Sequence, residues 1–144
     1  GIRYILVWLS FLYNTSKCPL KRKSYNKQVM VITTTGRKSG KHFTVPLAYV
    51  RDGNTTYAYT IGGVSNWYKN ALTGTPVTLE VQDKKITAKT ESIQTQSELE
   101  SVLKIYQRES PSTFPRWFKV AADAPMEDLL KITDRIKFVR FNPA

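Results

Sequence analysis

VMVITTTGRKSGKHFTVPLAYVR, residues 29–51, places two runs rich in β-branched side chains on either side of Gly36-Arg37-Lys38-Ser39-Gly40. Branched side chains favour a pleated backbone, and a five-residue connection with a glycine at each end tolerates positive φ. The stretch therefore predicts a β-hairpin, with strands over 29–35 and 43–51. Pro46 lacks the N–H that a ladder needs, so its strand belongs at an edge or a bulge, where backbone is free to meet something else.

The alternation recurs outward from this hairpin. Asp52-Gly53-Asn54 is a turn, residues 55–61 (TTYAYTI) read as a third strand that stops at Gly62-Gly63, and residues 65–72 (SNWYKNAL) read as a short helix. Val77, Leu79 and Val81 alternate with Thr78, Glu80 and Gln82; after Asp83-Lys84-Lys85 the pattern resumes over 86–93, a second hairpin. Ser97 and Glu100 have the spacing of a capping box for a helix with Leu99, Val102, Leu103 and Tyr106 on one face. Phe114, Trp117, Phe118 and Ala121 repeat helical spacing, Pro125 suits the first position of a further helical turn, and 136–141 closes as a strand. About six mainly antiparallel strands with short helices inserted late predict an α+β barrel in place of a doubly wound parallel sheet. No repeat or linker divides residues 1–144, so one domain is expected.

The charge is lopsided. The chain of 144 residues carries a formal charge of +11, and ten of its 22 basic residues precede the first acid, Asp52. An anionic partner is implied: a phosphorylated or polycarboxylate ligand, an anionic membrane surface, or nucleic acid. Nucleic acid is not expected, because only Tyr25 interrupts the basic run from Lys17 to Lys27. One cysteine, Cys18, and one histidine, His42, exclude an intramolecular disulfide framework and a zinc site of Cys/His spacing. No metal is expected, and a reducing, cytoplasmic setting is. The apolar segment 2–13 (IRYILVWLSFLY) falls short of the roughly 20 residues that span a bilayer, so it lies on a membrane or docks on the core.

The turn at 36–40 combines backbone N–H groups, a serine hydroxyl and two fixed cations, a cradle for phosphate or carboxylate; taken alone it also reads as a solvated hairpin. Gly62-Gly63 lets a planar ligand or another backbone come close, and Trp67 with Asn70 would present an aromatic and an amide to one side of a helix, or simply serve the core. His42 has no nucleophile to serve and reads as structural or surface, and Glu98, Glu100, Glu127 and Asp128 sit near helix starts where the macrodipole accounts for them. No catalytic side chain is expected. A coenzyme that carries its own reactivity fits such a chain, since the protein need only orient the ring, exclude water and balance charge.

Taken together, TTTGRKSGK (33–41), VPLAYVRDG (45–53), Gly62-Gly63 and NWYKN (66–70) resemble the deazaflavin-dependent nitroreductase family in order and spacing, most closely over 29–81. The resemblance implies a split β-barrel like that of FMN-binding oxidases and coenzyme F420, a deazaflavin with a phosphodiester and an oligoglutamate tail. By that resemblance Arg37, Lys38 and Ser39 hold the phosphate, and Thr44, Val45, Pro46, Leu47 and Ala48 line the deazaflavin ring. Thr60, Ile61 and Gly62 border it, and Asn66, Trp67 and Asn70 complete the pocket. The activity implied is hydride transfer from reduced F420 to a small-molecule acceptor of quinone, nitroaromatic or enone type. Ala48 stands where some relatives have a tyrosine facing the substrate, which leaves the acceptor open. An FMN-dependent oxidoreductase, whose phosphate the same cradle suits, and a non-catalytic flavin- or tetrapyrrole-binding module are the alternatives. A homodimer is implied by analogy with other split barrels, and the apolar, basic segment 1–27 suggests peripheral membrane contact near a lipid-soluble acceptor.

Overall fold

Strand β1 (Val29–Thr35) and strand β2 (His42–Ala48) form the expected hairpin, in register from Val29 opposite Ala48 to Thr35 opposite His42. The computed structural model describes residues 29–144; the segment 1–27 and the membrane contact expected of it lie outside the described residues.

The second run does not continue as one strand to Arg51. It breaks at Tyr49, and residues Val50–Asp52 form β3, which pairs with β4 (Thr55–Ile61), Val50 opposite Tyr57. The remaining strands are β5 (Val77–Val81), β6 (Lys84–Ser92) and β7 (Ile136–Pro143), so the described sheet has seven strands where the sequence suggested about six. Their order is β2-β1-β5-β6-β7-β4-β3, antiparallel at every pairing. The two end strands, β2 and β3, are joined through the single residue Tyr49. The sheet therefore rolls back on itself without a ladder closing it, which is a split barrel. Pro46 sits on edge strand β2, opposite Val31, where its missing donor costs nothing.

Alternation along β7 fills two cores. Val139 and Phe141 face the barrel interior with Met30, Ile32, Ala58, Leu79 and Ala88, while Ile136 and Phe138 face outward to a second cluster with Leu103, Tyr106, Phe114 and Phe118. That outer cluster is covered by α2 (Gln96–Glu109), which follows α1 (Asn66–Ala71), and by α3 (Met126–Lys131). The cap of α2 lies two residues before the expected one. Thr95 Oγ1 accepts from the Glu98 backbone N–H at 3.2 Å and reaches Glu98 Oε1 at 2.9 Å, the box being T-x-x-E at 95–98. Residues Phe114–Phe118 form a π-turn ended by Lys119 in the left-handed region, wide enough to bury both Phe114 and Phe118 while Trp117 stays half exposed. Pro125 is the residue before α3 and not its first position.

Candidate functional site

The β1–β2 turn is held by its own backbone. Gly36 N–H donates to Lys41 O at 2.7 Å, Gly40 N–H to Gly36 O at 2.9 Å, and Lys41 N–H to Ser39 Oγ at 3.2 Å. The two glycines are there for different reasons. Gly40 has φ +72°, the left-handed region; at Gly36 the missing side chain makes room for its neighbours, since a Cβ there would stand 2.7 Å from the Phe43 ring and 2.9 Å from Ser39 Oγ, and one of them would have to shift. Arg37, Lys38 and Ser39 are all exposed at the tip.

Helix α1 closes the other wall. The chain leaves β4 through Gly62 and Gly63, both at positive φ, with Gly62 N–H donating to Arg135 O at 2.6 Å. The hydroxyls of Thr60 and Ser65 meet at 2.8 Å and tie the end of β4 to the helix start. Asn70, near the far end of α1, is 3% exposed. Its Nδ2 donates to Thr34 Oγ1 at 3.3 Å, and its Oδ1 accepts from Arg37 Nη1 at 2.7 Å and from the Arg37 backbone N–H at 3.3 Å. Helix and turn are thereby locked together.

Between them lies a cleft of about 460 Å³, within the range of small-molecule and coenzyme sites. The turn contributes Arg37, Lys38 and Ser39, strand β2 Thr44 and Val45, and helix α1 Asn66, Trp67 and Asn70. None of its lining residues is acidic, so two cations face an uncompensated, largely apolar groove. An anion would meet the turn at one end, and a planar ring would meet Phe43, Val45 and Trp67.

Eight of the fourteen residues carried over by resemblance meet in this cleft; the other six do not line it. Pro46 and Leu47 are half-buried further along β2, Leu47 packing on the barrel core. Ala48 borders a different pocket. Thr60 is 4% exposed with its hydroxyl on Ser65, Ile61 is exposed, and Gly62 turns the chain. The cleft adds Thr34, Gly36, His42 and Phe43. Of these, Phe43 had a signal in the sequence: an aromatic beside a basic turn on a strand that proline marks as an edge.

The pocket at Ala48 holds about 70 Å³ and is bordered by Tyr59, Tyr106, Ser110, Thr113, Arg116 and Trp117 among others. Ser110 and Thr113 bond each other at 2.7 Å. The Tyr106 hydroxyl is buried and has no hydrogen-bond partner among the described residues. Burial pushes the Tyr59 phenol up to about 12, and it raises Tyr106 well above its ordinary value, with Tyr59 adding to the effect. Both phenols are therefore neutral donors at physiological pH.

Residues 10–125 match the model of a family described as F420H(2)-dependent quinone reductase. The comparison with curated proteins finds no match. Among solved structures, an F420-H2 dependent reductase (FDR-A) is 24% identical, covering 79% of this chain and 92% of its own, with a TM-score of 0.55. A chain described as a domain-swapped dimer is 22% identical over 80% of each chain, TM-score 0.57. The FAD binding protein from Mycobacterium smegmatis is 15% identical, covering 81% of this chain and 80% of its own, TM-score 0.53. At these identities the three structures speak to the fold.

Proposed function

The chain belongs to the F420H(2)-dependent quinone reductase family, and from that premise we propose that its cleft takes reduced F420, with the phosphodiester on the 36–40 turn and the ring between β2 and α1. It is an oxidoreductase, and its coenzyme is F420. The observation that carries the placement is the cleft itself: exposed Arg37 and Lys38 at one end, Phe43, Val45 and Trp67 along it, and no acid in its lining.

The reduced deazaflavin supplies the hydride, and the chain's residues do the rest. Arg37 and Lys38 neutralise the phosphodiester through charge-assisted hydrogen bonds, and the bare Cα of Gly36 lets the Phe43 ring lie against the turn. Trp67, held edge-on to Tyr68 at 5.9 Å, supplies a flat apolar wall and keeps water from one side of the ring. The acceptor, a quinone, nitroaromatic or enone, stacks on the ring face that the cleft leaves open.

The reading places the enzyme in the cytoplasm as one domain over 1–144, working as a homodimer, with segment 2–13 resting on a membrane near a lipid-soluble acceptor. No helix among the described residues is long and apolar enough to cross a membrane. The test is turnover: reduced F420 is mixed with the protein and a soluble naphthoquinone, and loss of reduced coenzyme is followed. Protein-dependent oxidation that vanishes without quinone is expected; oxidation at the protein-free rate with quinone, nitroaromatic and enone alike overturns the reading.

A further inference from the structure

Asn70 lines the cleft, yet its side chain is committed elsewhere. It is 3% exposed, its Nδ2 is given to Thr34 Oγ1, itself on a residue 1% exposed, and its Oδ1 takes two hydrogen bonds from Arg37. Its backbone carbonyl is occupied too, accepting from the Thr73 hydroxyl at 2.8 Å and the Thr73 N–H at 3.3 Å. An amide used this fully, at the meeting of β1, the basic turn and the end of α1, offers a ligand little. What it offers is Arg37: the 2.7 Å bond to Nη1 fixes a long, exposed side chain that would otherwise sample many rotamers, and the bond from the Arg37 N–H fixes the backbone beneath it.

We propose that Asn70 is a positioning residue that holds the Arg37 guanidinium ready for the phosphate of the bound coenzyme, in place of the direct coenzyme contact the resemblance implied; this rests on the phosphate lying at the 36–40 turn. A guanidinium forks its donors, so one nitrogen held by Asn70 leaves the others to a phosphate oxygen. The ordering cost of the side chain is met on folding and not on binding. Thr34 extends the chain of control by holding the amide that holds the arginine.

The test compares two ligands that differ only in charge at the relevant end, a deazaflavin riboside and its 5′-phosphate, binding to the full chain at moderate salt. The parent prefers the phosphate, and Arg37→Ala loses much of that preference. Asn70→Leu loses about three- to tenfold of it, the cost of ordering one long side chain, while riboside affinity stays at the parent level. The double variant Arg37→Ala/Asn70→Leu behaves as Arg37→Ala alone, because Asn70 acts through Arg37. Full phosphate preference in Asn70→Leu, or an equal loss for both ligands, overturns the inference. A parent without phosphate preference overturns the placement of the phosphate instead. Should Asn70→Leu show no cooperative unfolding, Thr34→Val decides: partial loss of preference at unchanged riboside affinity supports the inference, and full preference overturns it.

Discussion

Replacing Tyr106 with phenylalanine should make this protein more stable. The ring is 2% exposed and meets Tyr59 at 6.0 Å and 70°, Phe118 at 5.8 Å and 61°, and Phe138 at 5.5 Å and 57° between centroids, contacts that phenylalanine keeps. Only the hydroxyl goes, and it has no partner among the described residues. An unpaired buried hydroxyl costs about 1–3 kcal/mol, so removing it should stabilise the fold by that amount. In a chain of this size that is roughly 4 °C in Tm per kcal/mol. Denaturant unfolding of parent and variant, followed by tryptophan fluorescence at unchanged slope, measures it. Destabilisation by about 1 kcal/mol, the usual loss of a satisfied hydrogen bond, would refute the reasoning.

Three further outcomes are expected. Lys38→Ala should weaken F420 binding by about 1.5 kcal/mol, roughly tenfold, with unfolding nearly unchanged because the side chain is exposed; equal affinity by calorimetry removes the lysine from the cradle. Gly36→Ala forces its Cβ against the Phe43 ring and Ser39 Oγ, so the half-exposed ring swings into the cleft; we expect a stability loss of about 1 kcal/mol and a larger relative loss of coenzyme affinity, and unchanged binding would contradict the packing. Tyr59 titrates near 12 in the fold against 10.0 when free, so the folded state holds its proton longer. Stability from this group is full below pH 10 and is lost as pH rises from about 10 toward 12; Tyr59→Phe should flatten that decline and remove a late step from the phenolate absorbance titration.

Much of this was legible because it rests on local chemistry. The β-branched run at 29–35, the turn at 36–40 and the edge proline at 46 fixed the hairpin and its exposed side, and eight of the residues carried over by resemblance do share one cleft. The break at Tyr49 was not legible, since Ala48-Tyr49-Val50 is as strand-like as its flanks; only the need to join the two ends of a rolled sheet bends it there. The same bend sends Ala48 toward the tyrosine pocket and away from the cleft. The cap of α2 slid from Ser97 to Thr95 because two overlapping boxes compete in TQSELE and packing of Val102, Leu103 and Tyr106 chooses the phase. Asn70 was identified as a site residue, but that its amide serves Arg37 needed the third dimension.

The division of labour in the cleft is simple in physical terms. Charge sits at the turn and apolar surface runs along β2 and α1, so an anionic, ring-bearing ligand is asked for. The most direct measurement is a titration of the purified protein with F420 and separately with FMN, following quenching of each coenzyme and of the tryptophans at low and moderate salt. The account predicts at least about tenfold preference for F420, weakened by salt as a phosphate contact requires. Tighter binding of FMN, or no binding of either, would contradict it.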